Sequence, residues 1–396
     1  MSLSSPGPLA GILVIDLGQY IAGPGTAMAL AELGARVVKV EPPDGDQARQ
    51  IGRYGESMVR AYNRGKQSIA LDLKHADGHA VALRLIERAD VLVQNLRPGV
   101  VEGLGLAPEV LRRRFPRLVC LSISGFGSQG PSRLRPGYDI AAQAESGLMW
   151  LTGEADRPPQ KVGVPIVDAA AAQLGAQAVL AALFARERSG VGATLEASLL
   201  DTALHLQAAT WADYLGGGPE PARRGDGQPN NAPAAEVLPT RDGCIVLSAY
   251  AEDHWRRLCR VLGCEALAED PRFRSNEQRV LHRDALRALL RERLAGYSSE
   301  ACVELLTRHG IVAGAVRSYA QVLQSADLAA GGLLVHAPEP AGPGYRVLGR
   351  PYRIDGHAPA SLPAAPACGA DTDGLLAELG YAGEDIAALR RSGAVA

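Results

Sequence analysis

The sequence predicts an α/β protein, with a large domain on a parallel sheet and a smaller α/β domain attached to it. Three observations predict this. The chain has 396 residues, too long for one small domain and fitting two, or one large domain with an insertion. From Leu9 to about Gly130, short strand-like runs alternate with helical patterns, as βαβ units do. The Gly-, Pro- and Asn-rich stretch "LGGGPEPARRGDGQPNNAP" at 215–233 then separates this region from a second set of strand and helix signals.

Residues 12–17, 37–40, 68–73, 91–94 and 118–124 are apolar runs and are expected as strands. Helical periodicity fills much of the space between them, as in "GHAVALRLIERA" from Gly78. The crossovers are expected to be right-handed. A long helix is expected over about 167–188, then one strand and one helix in "SGVGATLEASLLDTALHLQAATW". Beyond the loop, 243–249 reads as a strand, and "DHWRRLCRVLG", "LHRDALRALLRERLAG" and "SSEACVELLTRHG" read as helices. Residues 335–368 are Pro-rich and extended, and two short helices broken at 380–383 end the chain. The expected boundaries are 1–200 for the first part of the large domain and 201–225 for a linker. The small domain then covers 226–325, and 326–396 form a linker with a C-terminal return to the large domain.

Composition narrows the function. Lys and Arg number 41 against 43 Asp and Glu, the signs are mixed, and no basic stripe marks a nucleic-acid footprint. An anionic ligand must therefore be met by local groups. The six cysteines show no C-x-x-C spacing and no clustering with histidine, so reduced thiols and a cytoplasmic location are expected. The start "MSLSSPGPLAG" lacks the basic and apolar regions of a signal peptide. The apolar window 169–185 is interrupted by Gln173 and Gln177 and reads as a buried helix, so no membrane partner is expected.

The stretch "ILVIDLGQYIAGPGTAMALAELGARVVKVEPP" at 12–43 has the outline of a Rossmann-like first βαβ unit, and Glu41 falls where a ribose-binding acid would sit. The glycines of its first loop, however, are Gly18, Gly23 and Gly25, with Pro24 between the last two, which is not the dinucleotide spacing. A true G-x-G-x-x-G occurs at Gly125, Gly127 and Gly130, but Pro131 and Pro136 follow, and the fingerprint must open a helix to place its N-terminus on a pyrophosphate. His75 and His79 have the i, i+4 spacing of a metal pair, yet no third ligand is evident, and a solvated helix start is the expectation. No G-x-S-x-G elbow supports acyl-enzyme hydrolysis. One carboxylate stands apart: in "VGVPIVDAAAAQLGAQAVLAAL", Asp168 lies between an apolar run and an Ala-rich helix. It reads either as a helix cap or as a nucleophile held at a helix N-terminus.

Taken together, "NRGKQSIALDLK", "DVLVQNLRPGV", "SISGFGSQGP", "PGYDIAAQAESGLM", "VGVPIVDAAAA", "EASLLDTAL" and "LLAELGYAGEDIAALR" follow the N-terminal segment in an order covering nearly the whole chain. This arrangement resembles the family III CoA-transferases, which include formyl-CoA transferase and carnitine CoA-transferase and share a fold with α-methylacyl-CoA racemase. The resemblance implies a Rossmann-like CoA-binding large domain, an interlocked homodimer, and CoA or acyl-CoA as substrate with no permanently bound cofactor or metal. It implies Asp168 as the nucleophile, passing CoA to a free carboxylic acid through anhydride and aspartyl-CoA thioester intermediates. It assigns the CoA site to Ala22, Leu71, Lys74, Asn95, Leu96 and Tyr138, beside which Arg97 offers a bidentate donor. It also places a glycine-rich covering loop at Gly225, Gly227 and Gln228, where Asp226 interrupts the longer glycine run of formyl-CoA transferase. Two basic positions of that enzyme are Pro42 and Gly103 here, leaving Arg49, Arg53 and Arg135 as candidates for the CoA phosphates. The racemase motif G-H-D-I is Gly137-Tyr138-Asp139-Ile140 here, and a tyrosine with an ordinary pKa near 10 suits proton abstraction poorly. A transferase is therefore expected, with an acyl-CoA racemase or a non-catalytic CoA-binding homologue as alternatives.

Overall fold

The computed structural model describes residues 7–396 apart from Pro229 and Ala341, so the segment "MSLSSP" lies outside the described residues. The chain forms β1 (Leu13–Asp16), α1 (Ala22–Ala31), β2 (Arg36–Glu41), α2 (Gly52–Tyr62), β3 (Gln67–Ala70), α3 (Ala76–Arg88) and β4 (Val91–Gln94). Next come α4 (Val100–Gly103), α5 (Pro108–Arg114), β5 (Val119–Ser124), α6 (Asp139–Glu145), α7 (Leu148–Leu151), α8 (Ile166–Ser189) and β6 (Thr194–Ser198). The six strands form one sheet in the order β3-β2-β1-β4-β5-β6, every pair parallel. Helices flank both faces, so central strands such as β4 (VLVQ) are buried throughout, which is why they read as unbroken apolar runs. The order reverses between β1 and β4, and in such sheets a crevice opens at the carboxyl ends of the strands on either side of the reversal.

The crossing of α1 and α8 braces this crevice. Both helices are rich in small residues, and at Gly175 a Cβ would come within 2.8 Å of Thr26 Oγ1 and 3.0 Å of Leu121 Cδ2. Thr26 Oγ1 donates back to Ala22 O at 2.9 Å and reaches Ala172 O at 3.2 Å. Gly175→Val is expected to cost about 1–3 kcal/mol through overpacking, read as a lower urea midpoint with unchanged slope. Among the described residues, α8 is the one helix long and apolar enough to cross a membrane. Its buried Val167, Ala171 and Val179 belong to the same core cluster as Ala27 of α1 and Leu121 of β5.

Several expectations change. The single helix expected after β6 is two, α9 (Leu199–His205) and α10 (Ala208–Leu215). The break falls at Gln207, whose side chain donates to Ala203 O and Ser146 O. The extended stretch 335–368 contains an antiparallel pair, Leu334–Ala337 with Tyr345–Leu348. Helices Thr372–Glu378 and Gly383–Arg391 lead to an antiparallel bridge between Leu71 and Val395. His75 caps α3, its Nδ1 accepting from Asp77 N at 3.2 Å.

Two compact units result. Among the described residues, the first comprises those up to Leu148, Val162–Trp211 and Ala326–Ala396; the second comprises Met149–Lys161 and Ala212–Ser325. The second unit carries an antiparallel sheet, β7 (Glu236–Pro239), β8 (Cys244–Ser248) and β9 (Val312–Ala315), over a core that includes Trp255, Phe273, Leu290 and Leu306.

Candidate active site

A cleft of about 700 Å³ opens at the carboxyl ends of β1, β2, β4 and β5, and all of its lining residues belong to the first unit. The loop 18–21 between β1 and α1 forms one wall. Asn95, just past β4, grips that loop: its Oδ1 accepts Gln19 N–H at 2.8 Å and its Nδ2 donates to Gln19 O at 3.0 Å. Asn95 thus lines the cleft with its amide committed to the protein. Ala22 opens α1 beneath the loop and is 2% exposed. Leu71 is buried, Leu96 half-buried, and Lys74 and Arg97 are exposed at the rim. These are the two basic side chains among the described lining residues, and neither is in an ion pair.

Asp168 lies in the first turn of α8 and lines the same cleft. The N-cap residue, Pro165, has no side chain able to cap the helix. That work falls to Asp139, the first residue of α6, whose Oδ2 accepts Val167 N–H at 2.7 Å and Asp168 N–H at 3.2 Å. Gln143 donates to the other oxygen of Asp139 and accepts from Val162 N–H at 2.9 Å, which fixes the capping carboxylate. Burial, and then the Asp139 charge, raise the Asp168 carboxyl to about 7. The Tyr62 phenol is pushed up by burial and then by Asp168, so it stays protonated beside that carboxylate. Tyr138 is exposed and lies edge-on to Tyr20, their ring centroids 5.7 Å apart and planes at 85°. Sequence reasoning named Asp168 and Tyr138 and missed the parts played by Asp139, Gln143 and Tyr20. Asp139 was visible in the motif Gly137-Tyr138-Asp139-Ile140, but its partners lie nearly thirty residues away.

Glu41 lines the cleft but does not offer its carboxylate to a ribose. It is 1% exposed, with Arg49 Nε and Nη2 at 2.7 and 2.8 Å, Asp46 N–H at 2.9 Å and Ser68 Oγ at 2.8 Å. Burial alone would raise its pKa; Arg49 and Lys39 outweigh that and hold it at about 2. Arg49 is consumed by the same contact, and Arg135 pairs with Glu145. Neither of them, nor Arg53, lines the cleft. The G-x-G-x-x-G at 125–130 opens no helix, since the next one starts at Asp139. Its first glycine has a different reason: a Cβ on Gly125 would stand 2.6 Å from Gly137 Cα, where two turns cross at the cleft.

Gly225, Gly227 and Gln228 belong to the second unit. Gly225 donates to Gly153 O at 3.0 Å, and Arg283 Nη2 donates to Gln228 O at 2.5 Å and to Asn231 O at 2.6 Å. Asp226, the residue that interrupts the glycine run, accepts Val237 N–H at 3.0 Å and pairs with Arg287.

A sequence-family description, CoA-transferase family III, matches residues 9–372. The chain belongs to CoA-transferase family III. This CoA-transferase is 36% identical over 366 residues to the acetyl-CoA:oxalate CoA-transferase of Acetobacter aceti, covering 91% of this chain and 92% of that protein. It is 37% identical over 339 residues to the succinate–glutarate CoA-transferase of Agrobacterium fabrum, covering 83% of this chain and 84% of that one. A CAIB/BAIF family protein from Brucella suis superposes with a TM-score of 0.85 at 34% identity, over 95% of this chain and 100% of the other. For the CoA-transferase, a cleft with a carboxylate at its wall and cations at its rim fits a reaction between a thioester and an acid.

Proposed function

We propose that this CoA-transferase moves CoA from an acyl-CoA donor to a small dicarboxylic acid, with Asp168 as the covalent nucleophile. The carrying observation is that the Asp168 carboxylate lines the cleft whose two unpaired basic side chains are Lys74 and Arg97. One Asp168 oxygen attacks the thioester carbonyl; the C–S bond breaks and CoA leaves as thiolate, giving a mixed anhydride. The thiolate then attacks Asp168 Cγ and expels the donor acid, leaving an aspartyl-CoA thioester. The acceptor carboxylate attacks that Cγ and releases the thiolate, which takes the acceptor carbonyl and frees Asp168. Easier covalent steps replace one hard exchange, and each intermediate requires water to be excluded.

Lys74 and Arg97 meet the phosphates and the second carboxylate, Arg97 by its two-pronged donor face. Ala22, Leu71, Asn95, Leu96 and Tyr138 shape the channel for CoA. The choice of a dicarboxylate draws support from two relatives whose names carry oxalate and succinate–glutarate. The same reading gives a cytoplasmic homodimer. It is supported by six free cysteines and by large apolar side chains left exposed on the single chain, such as Phe184 at 66% and Tyr319 at 84%.

The test incubates the enzyme with succinyl-CoA or acetyl-CoA and a panel of mono- and dicarboxylates, and follows new CoA esters by mass spectrometry. A CoA ester of a dicarboxylate is expected. Exchange confined to monocarboxylates would overturn the acceptor class. Deuterium exchange at the donor α-carbon without an acceptor would favour racemisation.

A further inference from the structure

The cleft wall formed by the loop 18–21 and the start of α1 is held by charges the reaction itself does not use. Four charged side chains beneath it, Asp16, Lys39, Asp46 and Lys66, are each at most 5% exposed. Lys66 Nζ donates to Asp16 Oδ2 at 2.7 Å, to Asn63 Oδ1 at 2.9 Å and to Pro24 O at 2.9 Å. Asp16 Oδ1 accepts Gly18 N–H at 2.8 Å, and Lys39 Nζ donates to Gly18 O at 2.7 Å. Lys39 also pairs with Asp46 at 2.9 Å. Asp46 Oδ1 in turn accepts the N–H of Ala48 at 2.9 Å and of Tyr20 at 3.2 Å. Buried ion pairs are a poor source of stability relative to apolar packing, but they fix geometry when every member is satisfied.

Tyr20 gives that geometry a purpose. Its φ is +62°, a left-handed conformation that bulky residues rarely adopt and that persists only where the surroundings impose it. Its N–H is tied to Asp46, its hydroxyl donates to Gln47 Oε1 at 2.9 Å, and its ring stands edge-on to Tyr138. In an extended conformation the chain at position 20 would direct this ring elsewhere and break the wall.

We propose that Asp46 is a positioning residue for CoA transfer: paired with Lys39, it holds Tyr20 in its left-handed conformation, so that the Tyr20 and Tyr138 rings together form the wall against which the acyl-CoA thioester is ordered. The inference rests on the cleft being the site of transfer. It makes Tyr20 a determinant of acyl-CoA binding and Asp46 its support from behind, without contact with the substrate.

The experiment is a double-mutant cycle on KM for succinyl-CoA with Asp46→Ala and Tyr20→Gly, since glycine takes a positive φ without a tether. Each single variant is expected to raise KM about tenfold with kcat changed less than about threefold, and the double variant also about tenfold, because both remove one wall. A double variant whose KM rises about a hundredfold, the product of the two, would overturn the proposal. So would an Asp46 variant that lowers the melting temperature while leaving KM unchanged. Asp46→Asn keeps an acceptor for the Tyr20 N–H but turns an amide N–H toward the Lys39 ammonium, so a rise in KM smaller than that of Asp46→Ala is expected, and a rise just as large in the Tyr20→Gly background counts against the proposal. If Asp46→Ala does not fold, the cycle is run with Asp46→Asn, whose smaller effect must vanish in the Tyr20→Gly background. Asp168→Ala is assayed alongside: if it retains transfer, the reading of the cleft has failed; if it is inactive and the cycle is multiplicative, only the role of Asp46 has.

Discussion

Asp168→Asn is expected to abolish CoA transfer, by about 10⁴- to 10⁶-fold as for loss of other covalent nucleophiles, and at the same time to make the protein more stable above neutral pH. The two effects share one cause. Burial and the Asp139 charge raise the carboxyl to about 7, against an ordinary value of 3.8. The folded state therefore favours the protonated form. Below the unfolded pKa the group is neutral in both states and the penalty is absent. It grows as pH rises through the interval, and it is complete above about 7. Its ceiling is about 4 kcal/mol, and the partial exposure of the side chain keeps it below that. The asparagine carries no charge in a similar shape, so its melting temperature should exceed that of wild type near pH 8 and match it near pH 4. Equal stabilities at both pH values would show that the carboxylate is not strained by its surroundings. The proposed mechanism needs Asp168 ionised to attack, so kcat/KM for the acyl-CoA should fall with acid through an apparent pKa of about 7. Mass spectrometry of the wild type with succinyl-CoA alone should show a CoA adduct on the Asp168 peptide, and the variant should show none. Full transfer activity in Asp168→Asn would remove it from the chemistry.

The place of Asp168 at a helix start was legible in the Ala-rich run, and the family resemblance of the motif singled that residue out. The strands were legible for a simpler reason. A parallel sheet covered on both faces demands unbroken apolar runs such as "VLVQ", and 3.6-residue periodicity marks the helices between them. What stayed hidden depends on partners far apart in the chain. Lys39 sits in the apolar run "RVVKVE", and a lysine there signals a buried partner, but nothing in the spacing says that Asp46 and Gly18 O supply it. Glu41 stood where a ribose-binding acid belongs, yet Arg49, eight residues on, takes its carboxylate. Tyr20 carries no local mark of positive φ, since that conformation is imposed by tertiary contacts rather than by residue type. Asn95 was identified as a cleft residue, while its clamp on Gln19 needed both loops in place.

The same distinction between a local and a long-range signal separates two substitutions at Asp139. Asp139→Ala leaves the N–H groups of Val167 and Asp168 without their acceptor at a buried helix end, where Pro165 offers no replacement. Each orphaned buried donor costs about 1–3 kcal/mol, so with two lost a drop of about 2–6 kcal/mol is expected near pH 4, where Asp168 is protonated and gains nothing from the missing charge. Because the lost contacts are to the backbone that carries Asp168, its carboxylate shifts as well. A misplacement of about 1 Å is enough for a hundredfold loss in rate, and kcat should fall by about that factor while KM for the acyl-CoA changes little. Asp139→Asn separates position from charge. The amide oxygen still accepts from the helix, so stability should fall less than for the alanine variant. The negative charge is gone, so one of the two causes that raise Asp168 is removed while burial, the larger one, remains. The acid limb of the kcat/KM profile should therefore move below about 7 yet stay above the ordinary aspartate range near 4. A profile unmoved by Asp139→Asn would mean that the two carboxylates do not sense each other. A profile shifted all the way to the ordinary range would mean that charge, not burial, sets the nucleophile.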